Sequence, residues 1–206
     1  MKTIYHRRIT EQALGKKVSA RALETIISAN LRQDVLRYQF GHDHFHYDNN
    51  AFAGGNAYVE AQRSIIQHAV LKRRPRAAWQ AFGRLSHTVQ DLYAHSNYVA
   101  LWLKVNNESV PAPEHIDPLD PGILADPGLR SGKTYFFFDA LLYLNLLPRS
   151  LLELAPPNSH TRLNIDGPDR PNFNFAIAAA VKRTQIEFFR VVASLSAEFG
   201  KLFTDL

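Results

Sequence analysis

The chain has 206 residues, 24 Lys plus Arg against 19 Asp plus Glu, a formal net charge of +5 and no cysteine. That length suits one large domain, and a 46% hydrophobic share excludes disorder as a whole-chain description. Without cysteine there is no disulfide scaffold, thiolate zinc finger, iron–sulfur cluster or cysteine nucleophile, so a transition metal would have to be held by imidazole and carboxylate.

Taken in chain order, the N-terminal residues lack the apolar core of a signal peptide, which predicts a cytoplasmic protein unless a signal-independent route exports it. A short helical segment from Thr10 stops at Gly15, and a longer helix with Ser19 as N-cap runs through Tyr38 towards Gly41. Leu23, Ile27 and Asn30 share one face of it, and Asp34 falls on the same stripe. A carboxylate placed there must be paired, protonated or bound to a cation. His6 lies just before the first helix.

Residues 41–55 read as a loop carrying His42-Asp43-His44-Phe45-His46-Tyr47-Asp48. The next helix, from Asn56, points Val59, Ile66 and Val70 inward and His68 outward, and ends in the basic run 72–76. Cations at a helix C-terminus are favoured by the macrodipole without any ligand. Pro75 suits the first turn of a helix predicted to reach Lys104. Between Leu85 and Leu103 its only formal charge is Asp91, so the helix reads as buried all round.

Residues 106–133 hold five prolines and form a long loop with Glu114, His115, Asp117 and Asp120, either a lid over a site or a surface elaboration. A helix is predicted over 134–147 and a short one after Pro148, followed by a loop with His160 and Asp166. The last helix carries a stripe of Ile177, Val181, Thr184, Phe188, Val191, Leu195 and Phe199. No strand alternation appears. The apolar run 135–147 contains Asp139 and Asn145 and is too short to span a bilayer; its aromatic start, Tyr135 to Phe138, is core or a point of peripheral membrane contact. The expectation is one all-α, multi-helical domain over 1–206.

The chemistry concentrates in His87-x-x-x-Asp91-x-x-x-His95. Spacings of four put the three side chains on one helical face, where two can reach one metal ion and the third a second. The alternative is a polar face with a plain His–Asp hydrogen bond, which the apolar remainder of the helix makes less apt.

These residues resemble a known family. Gly83-Arg-Leu-Ser-His87-Thr-Val-Gln-Asp91-Leu-Tyr-Ala-His95-Ser-Asn-Tyr98-Val is similar to the signature of Het-C-like proteins, related to the zinc-dependent phospholipase C and single-strand nuclease superfamily. His6 with Ile9-Thr10, Ala29-Asn30 with Asp34, His46-Tyr-Asp48-Asn49 and His160-x-x-Leu163-Asn-x-Asp166 resemble its further blocks, in family order. The resemblance implies a helical domain of that type around two or three zinc ions, acting as a hydrolase on phosphodiesters. It implies that His46, His87 and Asp91 hold one zinc, that Asp91 bridges to a second near His6, and that His95, His160 and Asp166 hold the third. His44 is an alternative to His46. Asp34 would be the catalytic carboxylate acting on the attacking water. The phospholipases also use the amine of a processed N-terminal Trp, where this chain has Met1.

The expected activity is that of a phospholipase C-like phosphodiesterase, with a phospholipid headgroup favoured over nucleic acid. The alternatives are a single-strand nuclease of the same superfamily and a noncatalytic module that metal only stabilises.

Overall fold

Helix α6 (Pro75–His95) is the axis of the fold, and its sequence explains why: every residue from 85 to 95 is buried, so it needs neighbours on all sides. The computed structural model describes residues 1–39, 41–106, 112–135, 156 and 158–206. Before α6 come α1 (Thr3–Leu14), α2 (Ala20–Leu31), α3 (Leu36–Gln39), α4 (Asp43–His46) and α5 (Phe52–Leu71). After it come α7 (Tyr98–Val105), α8 (Pro121–Leu124), α9 (His160–Leu163), α10 (Phe173–Ala193) and α11 (Ala197–Thr204). Among the described residues there is no strand, only isolated bridges pairing Ser96 with Ser131 and Lys133 with Ser159. The protein is predominantly helical, as expected, and no described helix is long and apolar enough to cross a membrane.

Helices α2, α5 and α10 surround α6. The α2–α6 contact depends on Gly83, where a Cβ would come within 2.3 Å of the Ile26 carbonyl oxygen. Helix α5 likewise needs Gly55, whose Cβ would meet the Tyr47 ring at 2.4 Å.

Several helix boundaries differ from the sequence reading. Helix α1 begins at Thr3, so His6 lies inside it and is buried. Ser19 does cap α2, accepting from Ala22 N. That helix ends at Leu31; a 3-10 turn over Arg32–Asp34 and an extended Val35 separate it from α3. Asp34 and Val35 are both weak helix formers. Helix α5 starts at Phe52, inside the predicted loop. The predicted helix to Lys104 is two, because Ser96 takes an extended conformation and its hydroxyl donates to Leu92 O while accepting from Tyr98 N. Serine competes with the helix ladder in this way. The long C-terminal helix is also two, divided at residues 194–196, so Phe199 belongs to α11.

The proline-rich segment is not a bare loop. Its residues 112–130 hold a 3-10 turn at Pro113–His115 and α8, and Tyr93 and Tyr98 clip it down by donating to Pro118 O and Asp117 O. The predicted helix over 134–147 and the one after Pro148 lie outside the described residues from position 136 onward.

Candidate metal centre

The face of α6 formed by His87, Asp91 and His95 meets side chains from five other segments. His6 arrives from α1, Asp34 from the 3-10 turn, His46 from α4, Asp48 from the turn after it, and His160 from α9. Three sets place one ligand atom of each member within 4.8 Å of the others: His6 with Asp34 and His87; His46 with His87 and Asp91; and Asp48 with His95 and His160. Asp91 is fully buried. It faces His6 Nε2 at 3.2 Å through Oδ1, and His46 Nδ1 and His87 Nε2 at 2.9 Å each through Oδ2.

The hydrogen bonds behind the rings fix which nitrogens are bare. Thr10 and Thr184 hydroxyls donate to helix carbonyls, so they accept from Gln90 Nε2 and turn Gln90 Oε1 towards His6. His6 Nδ1–H then donates to Gln90 Oε1 at 2.7 Å, leaving Nε2 to face the centre. Asn30 is oriented in the same way. Its amide nitrogen donates to Ser86 Oγ and Gln90 Oε1, so Asn30 Oδ1 accepts from His87 Nδ1–H at 3.3 Å. His46 donates through Nε2 to Tyr38 O at 3.2 Å.

His46 Nδ1, His87 Nε2 and Asp91 Oδ2 therefore present lone pairs to one another, with the two nitrogens 3.1 Å apart. Such atoms repel unless a proton or a metal cation lies among them. Burial pushes His87 down to about 4, against the pull of Asp91, so the ring is neutral at physiological pH. His6 Nε2, Asp48 Oδ1 and Asp166 Oδ1 are buried polar atoms without a hydrogen-bond partner among the described residues. His6 Nε2 is within ion-pair distance of Asp91 but outside hydrogen-bond geometry. The imidazole and carboxylate donor set and the bare His6 Nε2 fit a divalent transition metal; Asp48 Oδ1 and Asp166 Oδ1 lie within ion-pair distance of His95 and of the Met1 nitrogen respectively.

His95 behaves differently from His87. Burial lowers it, but the Asp91 and Asp48 carboxylates outweigh that and raise it to about 9. Asp48 and Asp91 are buried, which raises a carboxyl, yet the surrounding imidazoles, with the Met1 ammonium at Asp91, hold both below the usual carboxylate range. The amino nitrogen of Met1 also lies here, 3.0 Å from Asp91 Oδ1 and 2.7 Å from His95 Nε2.

Each candidate ligand read from the sequence is brought to this centre, though not always with the expected neighbours. Asp34 approaches His87 Nε2 at 3.7 Å and keeps a side chain 20% exposed, rather than lying in a buried helical stripe. Asp166 sits at the rim, 3.9 Å from His95, and its place beside His95 and His160 is taken by Asp48. His44 points away, its ring packed on Phe45 and Tyr58, and His46 is the loop histidine that enters the centre. Glu114, His115, Asp117 and Asp120 join none of the three sets.

Asp48 is not among the ligands expected from the sequence, although it lies in the His46-Tyr-Asp48-Asn49 block that carries the resemblance. Asn164, likewise not among them, donates to Asp166 Oδ2 at 2.6 Å and lies 3.2 Å from His160 Nδ1.

A family model described as the VWA7 N-terminal domain matches residues 1–118. That span contains His6, Asp34, His46, Asp48, His87, Asp91 and His95 and ends before His160 and Asp166. No curated protein and no solved structure matches the chain.

Proposed function

The chain belongs to the VWA7 N-terminal domain family, and from the cluster its matched span carries we propose that it is a zinc-dependent phosphodiester hydrolase. The observation that carries this reading is the convergence of His46 Nδ1, His87 Nε2 and Asp91 Oδ2 with no proton donor among them. His46, His87 and Asp91 would hold one ion, His6 with Asp91 a second, and Asp48, His95 and His160 a third. When bound, zinc supplies Lewis-acid activation of water and neutralises charge on a phosphodiester.

The remaining roles fall to the protein. Gln90 and Asn30 hold the His6 and His87 rings in one tautomer, a second layer of support that metal sites depend on. Asp34 is at the open edge of the centre, and its carboxylate would take the proton given up by the attacking water. His160, whose side chain is 21% exposed, forms the opposite edge.

Hydrolysis of bis(p-nitrophenyl) phosphate by zinc-loaded protein tests the reading. Turnover should vanish with chelator and return with zinc, and Asp34→Asn should lose turnover while keeping its zinc. Parallel loss of zinc and turnover would make Asp34 a ligand rather than a base. The complete burial of His87 and Asp91 favours a second reading, a domain that metal only stabilises. That reading prevails if zinc-loaded protein turns over neither the model diester, nor phospholipids, nor single-stranded DNA and RNA.

A further inference from the structure

Along the seam between α2 and α6 the surface opens into a groove of about 620 Å³. Five arginines line it: Arg21, Arg32, Arg37, Arg76 and Arg84. Its one carboxylate, Glu24, is paired with Arg7, and Arg21 is paired with Asp205. Arg84 bonds a neutral partner, Gln62. Among the described residues no ion pair is found for Arg32, Arg37, Arg76 or Arg84. Four cations thus share a concave surface, whose low-dielectric walls focus their field.

The packing of the helices adds to that field. Arg21 lies over the Trp79 ring, Gly83 meets the Ile26 carbonyl and Asn30 bonds Ser86, so α2 and α6 run in the same direction. Their N-terminal ends therefore lie at one end of the groove. There α6 has Arg74 as N-cap and Arg76 in its first turn, with no acidic residue, the reverse of what the macrodipole favours.

The groove fits an elongated anion with hydrogen-bonding groups between its charges. Arg21, Thr25, Ser28 and Arg32 recur on one face of α2, and Arg76, Gln80 and Arg84 on one face of α6. From Arg21 to Arg32 the helical rise gives about 16 Å, the length of about five residues of extended chain. Guanidinium forks match carboxylates. Between them, the Thr25 hydroxyl donates to Arg21 O and is left to accept from a peptide N–H. Nucleic acid fits less well, because Trp79 and Tyr38 lie under Arg21 and Arg37 and leave no open ring to stack a base. A bilayer fits less well too, because none of the exposed large apolar side chains lines the groove.

We propose that the α2–α6 groove binds an acidic polypeptide segment in extended conformation, its Asp and Glu carboxylates pairing with Arg32, Arg37, Arg76 and Arg84. No His or Asp of the metal centre lines the groove, so this is a protein–protein contact independent of metal and of hydrolysis.

Fluorescence anisotropy of the full chain with fluorescein-labelled hexaglutamate tests this. Binding should saturate, be the same with and without chelator, and weaken as salt rises from about 0.1 M to about 1 M, where the Debye length falls from about 10 Å to about 3 Å. Hexaglutamine should not bind. Arg32→Gln and Arg76→Gln should each weaken hexaglutamate binding about threefold, and the double variant about tenfold. Lys16→Gln, a charge change away from the groove, should match wild type. Circular dichroism identifies a variant that has not folded, in which case Arg37→Gln replaces it.

The proposal is overturned if hexaglutamate does not bind, or if the double variant binds it as wild type does. It is also overturned if chelator abolishes binding, which would put the carboxylates at the metal centre. Displacement of the peptide by oligothymidylate or anionic vesicles more readily than by unlabelled hexaglutamate, at equal charge, would overturn it in favour of those partners.

Discussion

His87 Nε2 and Asp91 Oδ2 lie 2.9 Å apart on successive turns of α6, and neither has a proton to give the other. The His87 proton is on Nδ1, donated to Asn30, and burial keeps the ring from taking a second one at neutral pH. The Met1 ammonium pairs with Asp91 Oδ1, but the contact through Oδ2 is favourable only around a further cation. That contact is built by a helix with no other formally charged residue between Leu85 and its end at His95.

Ring orientation is set by Gln90, which accepts from His6 and is itself locked by Thr10 and Thr184. Gln90→Leu should lower zinc affinity about 10–100-fold, read by competition with a chromophoric chelator, with helix content unchanged. Unaltered affinity would mean that the His6 tautomer does not matter to the centre.

The two threonines and Gln90 also show where sequence reading stops. His87, Asp91 and His95 were legible because one helix carries all three at a spacing that fixes their common face. Asp48 was not, because its direction depends on Tyr47 adopting a left-handed φ of 57°, which turns the chain back after His46. Gln90 has no spacing signature, and for Asn30 spacing gives only a place on the inner face of its helix; their roles behind the rings appear only when α1, α2 and α10 close around α6.

The α2–α6 seam makes Gly83→Ala a sharp stability test. Alanine gains up to about 1 kcal/mol in helix propensity over glycine, but its Cβ would be 2.3 Å from the Ile26 carbonyl. Backbone cannot yield as a side chain end can, so overpacking wins and a net loss of about 1–2 kcal/mol is expected, read as a lower Tm. A raised Tm would show that α2 can shift away.

Away from the centre, Glu187 is fully buried and accepts from Arg183 at 2.8 Å, Arg63 at 2.6 Å and Arg190 at 3.1 Å. Glu187→Ala leaves the buried Arg183 guanidinium uncompensated and should cost about 3 kcal/mol in denaturant unfolding. A loss below about 1 kcal/mol would show that the arginines reach water instead.

Alkali should release the proline-rich segment. Tyr93 and Tyr98 are raised above the ordinary phenol value by burial. A raised value means the neutral phenol is favoured in the fold, so this stabilisation is complete below about pH 10 and is lost as pH rises beyond it. Ultraviolet titration of the eight tyrosines should show an exposed class ionising near pH 10 and a delayed class that ionises only with unfolding. A single class at the ordinary value would contradict the clipped segment.

Metal content tests the central claim most directly. Protein purified without added metal and measured by elemental analysis should carry more than one zinc per chain, and Asp91→Asn, which alters the carboxylate facing His6, His46 and His87, should lose most of it while remaining helical. Protein that binds no zinc, before or after incubation with the metal, would contradict the account.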